Sequence, residues 1–368
     1  MASTLRPFLL APDEEDRCCH HHGERRCGQQ QQDHGGPIGV HRSKAGAGPS
    51  SWSSPSLLPY RGGPVASNLL NSGLTRFLYL LGPVFIITSH LGCLLLLATG
   101  LSLGALAWAA ALYLVRMLAT TAIYHRLITH RSYQAPRPVA WIGALVGASA
   151  GQMGPSWWKA HHLAHHRHVD TAEDPHSPLA PEQGWRGFWR SQAGWLLQPS
   201  FFPARLPADV EADPVLRLID RLHVLPALAL GWLSYGLGGW PFLAAYCLST
   251  TVLFHGVATV NSVAHLAGDQ PFRTQDHSRN NGWVALLTLG EGWHNLHHAF
   301  QASVRQGYTL DQGQVRRLPD PTYAFIRLLE RFGLASRLIL PSQADLLDRA
   351  RRPERPTAPA TTLARAGI

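Results

Sequence analysis

Residues 77–115 contain no charged side chain, an uninterrupted stretch of 39. A straight helix of that length would measure ~58 Å, about twice the ~30 Å hydrocarbon core of a bilayer. The stretch therefore reads as two spans turning near Thr99, Gly100, Leu101 and Ser102. The second continues past Arg116 towards His125, with Arg116 snorkelling or lying near the interface. A second uncharged stretch, residues 222–268, is interrupted by Gly236, Gly238, Gly239 and Pro241. It reads as a shorter third span followed by a fourth over about 241–262. Residues 139–154 are apolar but too few to cross, so they lie in the interface or pack on the core.

The flanks set an orientation. Arg61, Arg76, Arg126, Arg131, Arg137, Arg217, Arg221, Arg273 and Arg279 sit at the span ends away from the two uncharged turns. The positive-inside tendency then puts both termini and both large polar loops in the cytoplasm, with Trp108, Trp232 and Trp240 as interfacial belt residues. Residues 1–65 read as a disordered low-complexity tail. Its His20, His21 and His22 are taken as a solvated tract, and residues 341–368 as a flexible tail. Five scattered cysteines exclude a disulfide scaffold. The net charge of +9 comes from 32 basic and 23 acidic residues; 20 and 14 of these fall in the body, 66–340. That excess suits anionic lipid headgroups or carrier phosphates, and no recognition motif for nucleic acid accompanies it.

Histidine is the unusual residue: 21 are present. Nine fall in four groups, each on the side assigned to the cytoplasm. His162, His165 and His166 share an H-x-x-H-H pattern with His294, His297 and His298, so each trio occupies one helical face. Asn261 and His265 are four apart. His125 and His130 are five apart, which on an ideal α-helix separates them by ~140° unless the helix end unwinds. Nine imidazoles exceed the needs of one metal and suit two, with four or five ligands each, in a redox centre. No H-E-x-x-H is present, so a zinc protease is excluded. Glu291 is placed behind an imidazole, orienting it. His90 and His255 lie inside spans; His161, His168, His176, His223 and His277 are taken as non-ligands.

These residues resemble the membrane fatty acyl desaturases of the Δ9 type, nearest to their bacterial branch. The likeness runs over about 75–340. It is carried by HRLITH at 125–130, WWKAHHLAHH at 157–166, DPHSP at 174–178, NSVAH at 261–265, SRNN at 278–281 and GEGWHNLHHAF at 290–300. The resemblance implies an all-α integral membrane protein: four transmembrane helices in two hairpins under a cytoplasmic helical cap with a di-iron site. It makes His125, His130, His162, His165, His166, His265, His294, His297 and His298 iron ligands, with Asn261 holding a metal-bound water. Gln152, Trp158 and Val257 then fall along a bent acyl tunnel. Val257 and Ala258 replace the Thr and Trp of animal members, His161 and Ala160 their Asp and Arg, and Gln301 the usual Pro. His294 opening the last box separates the chain from front-end desaturases.

The expected activity is insertion of a cis double bond, at Δ9, into a long saturated acyl chain carried as acyl-CoA, with O2 as co-substrate. No heme or flavin is expected in this chain, so electrons come from a separate donor of cytochrome b5, ferredoxin or fused-reductase type. The bacterial inner membrane is the expected location. A membrane di-iron hydroxylase or alkane monooxygenase is the competing enzyme class, and metal transport the competing non-enzymatic one.

Overall fold

The computed structural model describes residues 73–350; the N-terminal tail, with His20, His21 and His22, lies outside them. The described chain is mostly helical. α1 (Gly73–Gly92) and the short α2 (Leu95–Thr99) lead to a break at Gly100, whose φ of 64° ends the helix. Ser102 then caps α3 (Leu103–Leu118) by accepting from the Ala105 N–H. α3 runs without interruption into a π-helical segment, Ala119–Thr129. α4 (Arg137–Ala148), α5 (Pro155–His168), α6 (Gly184–Gln192), α7 (Ala208–Glu211) and α8 (Pro214–Arg221) form a polar body before α9 (Val224–Ser262). α10 (Gly282–Leu287) and α11 (His294–Ala299) follow it, then α12 (Pro321–Arg331) and α13 (Gln343–Asp348).

Three helical stretches are long and apolar enough to cross a membrane: Gly73–Thr99, Leu103–Thr129 and Val224–His265. The third is not one rod. Gly238 and Gly239 leave helical geometry, Gly239 with φ 65°, and Pro241 supplies no N–H to resume the ladder at once. The halves lie side by side, because the Tyr246 hydroxyl donates to the Ala227 carbonyl at 2.6 Å. Those residues would stand ~28 Å apart on an unbroken helix. Trp232, Tyr235 and Trp240 cluster at this break. Leucines such as Leu74, Leu97 and Leu103 face outward, as expected of a surface that meets lipid rather than water.

Arg116 departs from the snorkelling expectation. Its guanidinium turns inward and is 1% exposed. It donates to Ser249 Oγ (2.7 Å), Thr250 Oγ1 (2.8 Å) and the Ser149 carbonyl (3.2 Å). Buried hydroxyls and a carbonyl replace the water that snorkelling would have sought. The all-α expectation also needs correction. β1 (Tyr308–Asp311) pairs antiparallel with β2 (Gln314–Arg317) across Gln312 and Gly313, both at positive φ. Two such residues are what a tight two-residue hairpin turn requires. Residues 341–350 are not a free tail: Leu346 is buried with Phe272, Leu296, Phe300 and Tyr308, and Ala350 bridges to Phe272.

The main core forms around the π-helical segment. Ala122, Ile123, Tyr124 and Ile128 pack with Ala144 and Ala148 of α4, Ile219 of α8 and Ile326 of α12. α4 can approach because it presents glycine: a Cβ on Gly147 would lie 2.6 Å from the Tyr124 ring, and one on Gly143 2.5 Å from Ile123. This core fixes the helix that carries His125.

Candidate metal centre

The histidine groups converge from four elements. The π-helical segment and the residue after it supply His125 and His130. There the ladder runs i to i+5: the His130 N–H bonds to the His125 carbonyl at 3.0 Å. Residues five apart therefore stack as residues four apart do on an α-helix, and the two rings lie 4.8 Å apart. The Thr129 hydroxyl supports the same register by donating to the Tyr124 carbonyl at 2.8 Å. Lys159 closes it from α5, donating to the Ile128 carbonyl at 2.8 Å.

Two sets of four imidazoles result. His125, His130, His162 and His297 have ligand atoms within 4.8 Å of one another, and so do His165, His265, His294 and His298. His166 joins the first set, its Nε2 2.8 Å from His297 Nε2 and 3.0 Å from His162 Nε2. All nine sequence-selected histidines are thus in one place. His165, His294 and His298 line up behind His166, with the His166 and His298 rings 4.6 Å apart.

The remote nitrogens explain why these rings suit a metal. Glu291 meets His125 Nδ1. Asp174 meets His165 Nδ1 at 2.8 Å, Asp170 meets His265 Nδ1 at 3.1 Å, and Asp276 meets His298 Nδ1 at 2.8 Å. A carboxylate accepts, so each Nδ1 carries the proton and each Nε2 keeps its lone pair. Those lone pairs face one another: Nε2 of His165 and His298 are 3.4 Å apart, and Nε2 of His265 and His294 are 3.1 Å apart. Lone pairs held this close repel unless a cation lies between them. The all-nitrogen donor set fits a redox-active transition metal. Burial, reinforced by neighbouring imidazoles, holds His130, His162, His166, His294, His297 and His298 well below the usual imidazole pKa, which keeps them unprotonated. Burial would raise the Asp174 carboxyl, but His165 outweighs it and holds the group well below the usual carboxylate range.

Glu291 is fixed in turn. Arg126, fully buried, donates to it from Nη2 at 2.9 Å and to Asp320 from Nη1 at 3.0 Å. Burial and these partners act in opposite directions on Glu291, and His125 with Arg126 prevail to hold it low. Asp170, Asp174 and Asp276 were missed by sequence reasoning as a class. Only Asp174 gave a signal, inside DPHSP, because carboxylates behind a ring follow no spacing of their own.

A largely apolar cavity runs from His125, His162 and His294 between α1, α3 and α9. Gln152, Trp158, Val257 and Asn261 all line it. Trp158 stacks on His162 at 4.9 Å, and Gln152 Nε2 is buried there without a hydrogen-bond partner. His161 and His176 line it too. His161 meets the Phe201 carbonyl at 3.0 Å, and burial pushes its pKa down to about 4. His176 sits 3.6 Å from Asp174 and joins it and His165 in a third group of potential ligands. His223 and His277 stay outside the cluster, near the Asp220 carbonyl and Asp170. His90 and His255 pair with each other inside the apolar helices, Nε2 to Nε2 at 3.0 Å.

Helices of membrane length joined to a two-centred, all-imidazole ligand set define a membrane-type metalloprotein. The chain belongs to the fatty acid desaturase family, whose model matches residues 71–307. It is 36% identical over 245 residues to the Arabidopsis thaliana protein described as "Probable lipid desaturase ADS3.2, chloroplastic", covering 65% of this chain and 64% of that one. It is 37% identical over 230 residues to an acyl-CoA C20 Delta5-desaturase of Anemone leveillei, covering 61% and 70%. An sn-1 stearoyl-lipid 9-desaturase of Anabaena variabilis is 37% identical over 263 residues, covering 70% and 92%. The chain thus spans a little under two thirds of the Arabidopsis relative's length and most of the cyanobacterial one.

Proposed function

We propose that this chain is an O2-dependent fatty acyl desaturase that inserts a cis double bond at Δ9 of a long saturated chain. The observation that carries the reading is the contact between the two-centred imidazole cluster and a narrow apolar cavity, made at His125, His162 and His294. Two irons bound by the nine histidines would supply the oxygen activation and hydrogen removal that the reaction needs. The chain's own residues do the rest. Glu291, Asp170, Asp174 and Asp276 hold the ring protons on Nδ1 and aim the Nε2 atoms inward. Trp158, stacked on His162, forms a wall that a methylene chain can lie against. Asn261 lines the cavity four residues before His265, where it can orient a water. Gln152, with a buried donor left over, offers a hydrogen bond to an oxygen in the cavity.

The relatives named as acting on acyl-CoA and on lipid-linked chains support either carrier; stearoyl-CoA is the one expected from the sequence. Four membrane passages, made by α1, α3 with the π-helical segment, and the two halves of α9, place the cluster on the cytoplasmic side by the arginine distribution.

A desaturase-deficient host expressing the chain tests this. Gas chromatography should find new Δ9 monoenes, and His165→Ala or His298→Ala should abolish them and lower the iron content. Membranes supplied with stearoyl-CoA or stearoyl-lipid then separate the carriers. An unchanged monoene profile, or hydroxylated products, would overturn the reading.

A further inference from the structure

We propose that the polar cleft in front of His166 and His298 is the docking site of an acidic, one-electron carrier protein. The inference rests on the desaturase reading above. Desaturation converts –CH2–CH2– and O2 into –CH=CH– and two waters. The acyl chain gives up two electrons and two protons, so two further electrons and two protons must enter. A one-electron carrier delivers those electrons in two visits, and solvent supplies the protons.

Two cavities touch the histidine cluster, and they differ in kind. The acyl cavity is apolar and meets His125, His162 and His294. The second is a polar cleft of about 490 Å³ that reaches His166 and His298 with no side chain interposed. The two linings share no residue. An occupant of the cleft therefore leaves the acyl chain in place, as an electron donor must.

The rim of the cleft carries its sign. Arg273 and Arg349 are both exposed there. Their backbones are joined, the Arg273 N–H donating to the Arg349 carbonyl at 2.8 Å, so the pair is held as a unit. Arg273 Nη2 also donates to the Asp348 carbonyl. Two acids belong to the same cleft. Asp276 is engaged by His298 Nδ1 at 2.8 Å, which leaves Asp348 as the exposed one. Arg167, exposed, follows His166 on α5. The face in front of the two imidazoles is thus net positive. Such a face draws in an acidic partner and repels a basic one, and the effect weakens as salt screens it.

The test uses the full-length, iron-loaded chain in membranes. Reduction comes from cytochrome b5 or a plant-type ferredoxin, each with its reductase, and in a separate arm from dithionite. At least one carrier should drive wild-type turnover, with a KM for the carrier that rises with ionic strength. The double variant Arg273→Glu/Arg349→Glu should raise that KM about tenfold or more. Its product yield per centre in a single dithionite-driven turnover should stay unchanged. Arg349→Glu alone, which keeps the Arg273 bond to Asp348, should show a smaller rise and guards against misfolding of the double variant. Any of three outcomes overturns the proposal: an unchanged carrier KM in both variants, a wild type driven by dithionite and by neither carrier, or a raised KM for stearoyl-CoA in place of the carrier. Absence of unsaturated product with dithionite as well would instead remove the desaturase reading itself.

Discussion

Asp174 shows how one side chain sets the chemistry of another. Its Oδ2 holds the His165 Nδ1 proton at 2.8 Å, while its Oδ1 accepts from the His176 N–H at 3.0 Å. The carboxylate fixes both the tautomer and the tilt of a ring that must offer Nε2 to a metal. Asp174→Asn keeps the volume and removes the charge. Losing such a partner typically costs about 10–100-fold in metal affinity or activity. The expected outcome is selective loss of metal from the set containing His165, His265, His294 and His298, read as iron per chain falling from near two towards one. Full iron and full turnover in this variant would contradict the role. The same residue marks where sequence reading ran out. H-x-x-H-H encodes its own geometry, because i, i+3 and i+4 share a helical face whatever surrounds them. Asp170 and Asp276 reach their rings through loops, and no spacing along the chain announces a contact that the fold makes.

At the scale of elements, the π-helical segment is what a 3.6-residue repeat could not foresee. His125 and His130 look misaligned on an α-helix, and only the i to i+5 ladder brings their rings to 4.8 Å. The long uncharged stretches and the Gly238–Gly239 break were legible, because both follow from hydropathy and from glycine and proline chemistry alone. The inward turn of Arg116 was not, since its partners Ser149, Ser249 and Thr250 lie more than thirty residues away in sequence. The π-helical segment is held by its packing on α4, which works only while Gly147 lacks a side chain. A Cβ there would meet the Tyr124 ring at 2.6 Å, and Tyr124 donates to the Ala144 and Met153 carbonyls. Gly147→Val should therefore push α4 away and cost about 1–3 kcal/mol, as overpacking commonly does. Thermal unfolding in detergent reads this directly. Gly236→Val is the control, because an added Cβ there meets nothing within 4 Å. Equal midpoints for the two variants would refute the packing argument.

For the whole molecule, the cluster is a clasp: its ligands come from the π-helical segment, α5, the end of α9 and α11, elements spread over some 170 residues. Metal bound only by the folded chain must stabilise it, and the imidazoles must give up their protons for that to happen. Removing the metal with a chelator should lower the unfolding temperature and make it strongly pH-dependent. The sign follows from the direction of the shifts. His130, His162, His166, His294, His297 and His298 are all held below the ordinary imidazole value in the folded chain. In the unfolded chain they take up protons near pH ~6.5. Below that pH the unfolded state binds more protons than the folded one, so stability falls as the solution is acidified. His165 works the other way: burial lowers it, Asp174 raises it by more, and its contribution is present in acid and lost as pH rises through its folded value. Six depressed groups outweigh one raised one. The carboxyls of Asp170, Asp174 and Glu291 are held low as well, so their contribution persists until pH falls below the ordinary carboxylate range. The metal-free protein should thus lose stability between pH ~7.5 and ~5.5. The loaded protein should lose more, because protons there also displace metal. A metal-free unfolding temperature that is flat or rises on acidification would mean that the imidazoles are not buried together as neutral rings.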